Sequence, residues 1–153
     1  MDYKLEVVTI PVSDVDKASA FYREKAGFAL DVDYHPADNF RVVQLTPPGS
    51  ACSVQFGVGL TDAPPGSAGI SYLVVPDIEA ARAELAARGV KISGIRHKWP
   101  VDTWQGGWEP GVDRKRRDYA SIADFTDPDG NIWVLQEIGF VCPTSTIRPE
   151  AQL

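Results

Sequence analysis

The chain has few side chains suited to metal or proton-transfer chemistry. His35 and His97 are its only histidines, and they lie 62 residues apart. A histidine can bind a metal or transfer a proton near neutral pH, so the pair could do either. Both fall at the ends of predicted strands, however, and we interpret them as surface residues.

Four other residues were considered for reactivity. Asp118 and Asp124 flank a predicted strand and could act as general acid or base if buried, although most such aspartates are solvated. Cys52 and Cys142 are the only cysteines, and neither stands in a metal-ligand spacing. A disulfide framework is therefore not expected, and the predicted location is the reducing cytoplasm.

Aromatic residues are concentrated in one segment. Trp99, Trp104 and Trp108, three of the four tryptophans, lie within residues 98–118 beside two glycines. Flat rings near glycines suit a mobile lid that stacks on a planar ligand. The alternative is that the rings plug a cavity or cover an apolar surface. Long loops are usually functional or disordered, and both interpretations stay open at this point.

Net charge and hydropathy restrict the partners. The chain of 153 residues has a net charge of −6, which argues against nucleic acid because phosphates need a basic surface. One basic cluster, residues 114–117, is interpreted as solvated surface or at most an anion contact. No apolar run approaches the length of a membrane span, and no signal-peptide segment is recognised. The expected partner is a small molecule.

The elements that must position these side chains come in two similar copies. Residues 12–15 and 75–78 each open a helical stretch that ends at a glycine, with an offset of 62 to 63 residues, and Asp14 is a predicted N-cap. Each copy is predicted to be β-α-β-β-β. The predicted strands cover residues 5–12, 28–34, 40–45, 51–58, 70–75, 90–96, 119–125 and 132–138.

These copies give a domain organisation. The first module covers residues 1–62, and the second covers residues 63–140 and contains the insertion at 98–118. A polar tail, residues 141–153, follows and is predicted to be loosely held. A chain of this length can build one core, so the modules are expected to form a single domain.

Three segments carry a family resemblance. They are residues 8–15, Phe21-Tyr22 on the first helix, and the turn Thr126-Asp127-Pro128-Asp129-Gly130-Asn131. On these residues the chain resembles the vicinal oxygen chelate superfamily of glyoxalases, extradiol dioxygenases and bleomycin-resistance proteins. The resemblance implies an α+β fold, in which two tandem βαβββ modules form a curved mixed sheet around a central cavity. It also implies a homodimer, because modules or chains pair to complete the cavities.

The resemblance also locates a metal site. Catalytic members hold a divalent metal on the first and last strands of each module, and the matching positions here are Val7, Ser53, Ile70 and Val134. Such a metal needs imidazole nitrogen or carboxylate oxygen. Three aliphatic side chains and a hydroxyl cannot supply them, so we expect no metal and no cofactor.

Strand alternation extends the predicted cavity wall, because side chains two residues apart face the same way. It adds Thr9, Gln55, Tyr72 and Gln136, and it places Glu137 on the opposite face near a helix. The predicted ligand-binding residues are Val7, Thr9, Ser53, Gln55, Ile70, Tyr72, Trp99, Trp104, Trp108, Val134 and Gln136. An apolar wall with a few polar groups is typical of small-molecule pockets.

The favoured function is therefore metal-free binding of a small aromatic or amphipathic molecule, in antibiotic resistance or sequestration. A metal-free isomerase or cyclase assisted by Gln55, Gln136, Tyr72 or Asp118 is the alternative. The missing ligands disfavour a metal-dependent lyase or dioxygenase. An interaction module with a collapsed cavity is a further alternative, and whether the chain is an enzyme stays open at this stage.

Overall fold

The computed structural model describes residues 1–143, which form two β-sheets and two helices. The strands are β1 (Val7–Thr9), β2 (Ala29–Ala37), β3 (Phe40–Thr46), β4 (Ser53–Val58), β5 (Ile70–Val75), β6 (Arg96–Lys98), β7 (Trp108–Pro110), β8 (Ser121–Thr126) and β9 (Ile132–Glu137). The helices are α1 (Val15–Ala20), continued by a π-helical turn (Phe21–Lys25), and α2 (Ile78–Ala87). Most of the predicted tail, residues 144–153, lies outside the described residues.

The sheets have related topologies. The first has the strand order β1-β4-β3-β2, and the second has the order β5-β9-β8-β6-β7. In each sheet the first and last strands of the copy run parallel, and the remaining pairs are antiparallel. The predicted α+β class is confirmed. No helix within residues 1–143 is both long and apolar enough to cross a membrane.

Local sequence signals start the two helices. The Asp14 carboxylate accepts a hydrogen bond from the backbone N–H of Lys17, and the Asp77 carboxylate accepts from Glu79 and Ala80. Each carboxylate satisfies N–H groups that have no partner within the helix, which confirms the N-cap predicted at Asp14 and adds one at Asp77.

The two sheets bury one face each in a common core. Tyr22, on the π-helical turn, is fully buried, and its ring centroid lies 5.5 Å from that of Phe56 in β4 and 5.9 Å from that of Trp133 in β9. Its hydroxyl donates to Asp127 at 2.7 Å, and burial together with the Asp127 charge raises the pKa of Tyr22. Because the core takes one face of each sheet, the other two faces point away from it.

The turn at residues 126–131, which carries part of the family resemblance, has a structural role. The Asp127 carboxylate accepts hydrogen bonds from the backbone N–H groups of Asp129 and Asn131. The buried Asn131 amide donates to the Pro11 carbonyl at 2.9 Å and accepts from the N–H of Ala68 at 3.0 Å. The turn thus ties the end of the second module to the strand–helix connection of the first.

The strand predicted over residues 90–96 is mostly wrong. Only Arg96 of that range is in β6, which continues to Lys98. The backbone before it bonds differently, since the Ser93 hydroxyl accepts from the N–H of Asp124 and the Ser93 carbonyl accepts from the Arg82 guanidinium. These side-chain bonds replace a continuous strand ladder there, together with two separate backbone bonds, from the Ser93 N–H to the Asp124 carbonyl and from the Gly111 N–H to the Ile95 carbonyl. The insertion also contributes a strand, β7, that pairs with β6.

The basic cluster at residues 114–117 is not a uniformly solvated surface. Arg114 and Lys115 are exposed, but the Arg116 side chain is only 16% exposed and makes a 2.6 Å ion pair with the buried carboxylate of Glu137. Arg117 pairs with the buried Asp113 at 2.8 Å. Arg116 and Arg117 are therefore held by ion pairs to buried carboxylates.

Candidate functional site

The strand registers relate the expected metal positions. In the first sheet Val7 pairs with Ser53, and in the second sheet Val134 pairs with Tyr72. The position equivalent to Val7 is therefore Tyr72, which corrects the equivalence predicted for Ile70. Val7 lies seven residues before the N-cap Asp14, whereas Tyr72 lies five residues before the N-cap Asp77, so counting by a constant offset misses the equivalence by two residues.

These positions do not fit a divalent metal. Val7, Ser53, Tyr72 and Val134 offer two neutral hydroxyls and no imidazole or carboxylate, whereas protein sites for such ions depend on those donors. Across residues 1–143, no group of three or more His, Cys, Asp or Glu side chains is arranged to hold a metal ion.

The outward face of the first sheet carries a chain of polar groups. The Gln55 amide donates to the Thr9 hydroxyl at 2.9 Å. Beside it, the buried Ser53 hydroxyl donates to the Thr46 hydroxyl at 2.7 Å, and Thr46 in turn donates to Asp31. Sequence reasoning missed Thr46 and Asp31, although a hydroxyl at the end of a strand that alternates in polarity is a usable signal.

The outward face of the second sheet, here called the open face, is largely apolar. Ile70, Tyr72 and Val74 in β5 are 57–59% exposed. Val134 lies beside them in β9 and is buried, while the Gln136 amide is held by a 3.0 Å hydrogen bond to the Tyr119 carbonyl. Contiguous exposed apolar side chains of this kind usually mark a binding surface.

Aromatic rings and cations share one end of the open face. Lys98 pairs with Trp108 across β6 and β7, so both side chains lie on the same side of the sheet. Trp104 packs edge-on against Trp108 with centroids 5.1 Å apart. The Lys98 ammonium lies 4.6 Å from the Trp104 ring, and the Arg96 guanidinium lies 5.2 Å from the Trp108 ring. These four residues form the Trp–cation cluster.

Glycine permits the bend that builds this cluster. A Cβ added at Gly107 would lie 2.4 Å from the Trp99 carbonyl oxygen, so no other residue fits without a shift. The same glycine offers its carbonyl to the Trp104 indole N–H at 2.6 Å. The backbone thus fixes the Trp104 ring, which remains 40% exposed.

Trp99 lies apart from the other two tryptophans. Its ring centroid is 6.4 Å from that of His97, whose place in β6 puts it on the opposite face from Lys98. His97 donates from Nδ1 to the Gly111 carbonyl at 2.9 Å, and its side chain is only 13% exposed. The surface interpretation therefore holds for the exposed His35 but is wrong for His97.

The two candidate acid–base aspartates have structural partners. Asp118 accepts from the N–H of Gly139 at 2.7 Å, and Asp124 pairs with Arg96 at 2.9 Å. Burial opposes ionisation of Asp124, but hydrogen bonds from Ser93 and Arg96 outweigh it and hold its pKa below the usual range. Asp124 is therefore a carboxylate at neutral pH, and it neutralises Arg96.

Two clefts lie where the two halves of the chain meet. One of about 360 Å³ runs between the turn at residues 47–50 and the α2–β5 region, and another of about 270 Å³ separates β1 from β5. Tyr72 borders both, but neither reaches Trp104 or Trp108. The clefts are apolar gaps between the halves, whereas the Trp–cation cluster lies on the open face.

The family follows from the whole chain. The model of the Glyoxalase/Bleomycin resistance protein/Dioxygenase superfamily matches residues 4–135. The chain belongs to this superfamily. The match confirms the family that was predicted from the Phe-Tyr pair and the Asp-Pro-Asp-Gly turn. A comparison with curated proteins gave no match.

Solved structures of the superfamily are similar to this chain. TnmS3, an antibiotic binding protein from Streptomyces sp. CB03234, is 29% identical with a TM-score of 0.66, covering 89% of this chain and 96% of TnmS3. A glyoxalase/bleomycin resistance protein from the same organism is 30% identical with a TM-score of 0.64, covering 87% and 99%. A superfamily member from Sphaerobacter thermophilus DSM 20745 is 28% identical with a TM-score of 0.66, covering 90% and 98%.

Proposed function

We propose that this superfamily member binds a planar aromatic or amphipathic small molecule without a metal, and that it acts in antibiotic sequestration or resistance. The observation that carries the proposal is the open face, where the partly exposed Trp104 and Trp108 lie at the β7 edge and an apolar row of β5 side chains lies at the opposite edge. Partly exposed indole rings offer a flat ligand an aromatic surface for stacking or edge contact. The two free thiols, Cys52 and Cys142, suit a cytoplasmic setting.

Two further points support this function. The residues at the expected metal positions, such as Val7 and Val134, lack the donors that metal-dependent relatives need. TnmS3, one of the similar proteins, is an antibiotic binding protein. Neither point identifies a ligand, so the proposal names a chemical class.

We also propose that the chain is a homodimer. A single chain leaves the apolar row Ile70, Tyr72 and Val74 open to solvent. A second copy that covers this row would turn the open face into a cavity wall, and two-fold dimers are the commonest assemblies of such chains. Sedimentation velocity is expected to give the mass of two chains. A monomer mass that does not change with concentration would contradict the dimer.

The function is tested by ligand quenching of tryptophan fluorescence. Planar, cationic and polyketide-like compounds are titrated into protein that has been dialysed against EDTA. We expect saturable quenching by planar aromatic compounds, unchanged by the chelator. If no compound quenches, or if quenching returns only after a divalent metal is added, the metal-free binding function is wrong.

A metal-free enzyme is the second candidate function. It is favoured by one observation, the hydrogen-bonded chain from Ser53 through Thr46 to Asp31 on the outward face of the first sheet. A carboxylate at the end of two hydroxyls can accept a proton, which an isomerase or cyclase would need. Turnover of a bound compound, lost in Asp31→Asn with binding retained, would favour this candidate over simple binding.

A further inference from the structure

The Trp–cation cluster gives the open face a local charge opposite to that of the chain. The protein carries a net charge of −6, which would favour a cationic ligand if the charge were spread evenly. Arg96 and Lys98, however, stand two residues apart in β6 and project from the same side of the sheet. The surface that the aromatic rings border is therefore locally basic.

The two cations of the cluster differ in their partners. Arg96 makes a 2.9 Å ion pair with Asp124, which is ionised, so their charges largely cancel. In the part of the chain that the structure describes, no carboxylate forms an ion pair with Lys98, and its one close partner is the Trp104 ring. Glu109 is adjacent in sequence to Trp108 but lies on the opposite face with His97. Lys98 thus contributes an uncompensated positive charge beside two half-exposed indoles.

We infer that the ligand of this protein is a planar aromatic molecule that carries an acidic group, a carboxylate or an acidic phenol. Because the indole planes of Trp104 and Trp108 are inclined by 67°, its rings stack on one indole and contact the other at an edge, and its anionic oxygen accepts a hydrogen bond from the Lys98 ammonium. A charge-assisted hydrogen bond is stronger than a neutral one. The neighbouring indoles exclude water that would otherwise compete for the Lys98 ammonium. The inference rests on the proposed binding function and adds the charge of the ligand.

A purely structural role for Lys98 makes a different prediction. An ammonium over an indole ring contributes to stability by itself, and Lys98 could serve only to hold Trp104 in place. In that case replacing Lys98 would lower the melting temperature and weaken neutral and anionic ligands equally. If Lys98 binds the ligand, replacing it changes the ratio of the affinities for anionic and neutral ligands. A loss of protein stability alone would not change that ratio.

The experiment compares three pyrenes of nearly equal shape: 1-pyrenecarboxylate, 1-pyrenecarboxamide and 1-pyrenemethylammonium. Binding is followed by the fluorescence anisotropy of the pyrene for the wild type, Lys98→Gln and the control Lys91→Gln, which alters an exposed lysine outside the open face. We expect the carboxylate to bind wild type about tenfold tighter than the carboxamide, a difference of about 1.4 kcal/mol. Lys98→Gln should abolish that preference, because it weakens binding of the carboxylate about tenfold more than that of the carboxamide, whereas Lys91→Gln should retain the preference.

The outcomes separate this inference from the function on which it rests. Equal binding of carboxylate and carboxamide, tighter binding of the methylammonium compound, or a preference that survives in Lys98→Gln would overturn the acidic-ligand inference and leave metal-free aromatic binding in place. Failure of all three pyrenes to bind would count against both. Higher salt is also expected to weaken the carboxylate more than the carboxamide, since only the charged contact is screened.

Discussion

Replacing Arg116 with alanine is expected to lower the free energy of unfolding by about 3 kcal/mol, because removal of one partner leaves the other charge buried. The Arg116 guanidinium donates to both carboxylate oxygens of Glu137, at 2.6 and 2.8 Å, and Glu137 is 1% exposed. Arg116 also donates to Glu79 at 2.9 Å, and these carboxylates raise its pKa. Without it, the Glu137 carboxylate would keep, among the residues that the structure describes, only the hydrogen bond from the N–H of Ile78.

Thermal unfolding measures this loss. A change of about 3 kcal/mol corresponds to a fall in Tm of about 6 to 12 °C for a chain of this size. Arg114→Ala is the matched control, since Arg114 is exposed in the same cluster, and it should change stability by less than about 0.5 kcal/mol. Arg116→Lys should be intermediate, because lysine keeps the charge but not the two-pronged contact. Equal Tm values for Arg116→Ala and Arg114→Ala would show that the ion pair does not stabilise the fold.

The features that the sequence predicted well are those set by local physics. Asp14 caps α1 through a carboxylate placed next to a free N–H group, which needs no knowledge of distant contacts. Alternation along β9 correctly placed Glu137 on the face opposite Val134 and next to the α2 N-terminus, where it accepts from the N–H of Ile78. The family and its fold class were predicted from motifs that lie where the two halves of the chain contact each other.

The features that the sequence did not predict depend on distant partners. The loop context of residues 114–117 predicts solvated surface or at most an anion contact, yet the Arg116 guanidinium bonds to Glu79, 37 residues away. Residues 90–95 alternate in polarity as a strand does, but their backbone makes scattered bonds instead, among them to the Arg82 guanidinium, the Asp124 carbonyl and the Gly111 N–H. Composition cannot show which side chain will reach a backbone group from another element.

The candidate site was only partly predictable for a similar reason. The alternation of side chains along a strand placed Tyr72, Val134 and Gln136 on one face of the sheet. The β5–β9 and β8–β9 registers agree with that placement. Arg96 and Lys98 were overlooked because the strand that holds them was predicted to end at Arg96. Lys98 pairs with Trp108 in a short hairpin inside the insertion. No alternation of polar and apolar residues in the sequence predicts this hairpin.

Replacing Trp108 or Trp104 with alanine is expected to weaken ligand binding about tenfold each, since stacking on an aromatic side chain contributes about 1 to 3 kcal/mol. Both rings are partly exposed, at 37% and 40%, so a ligand can reach them. The fold should survive, because neither ring belongs to the buried core. Trp99→Ala is the matched control: it removes an exposed tryptophan from the same segment but from beside His97, on the other face.

The central claim is that the open face, with its Trp–cation cluster, is the ligand-binding surface. The measurement that tests it most directly is the dissociation constant of the most strongly quenching compound for wild type, Trp104→Ala, Trp108→Ala and Trp99→Ala, with Tm recorded for each. We predict that the affinity falls about tenfold in Trp104→Ala and Trp108→Ala, stays near the wild-type value in Trp99→Ala, and that Tm changes little in all three. Unchanged affinity in Trp104→Ala and Trp108→Ala, with or without a loss of Tm, would contradict the account.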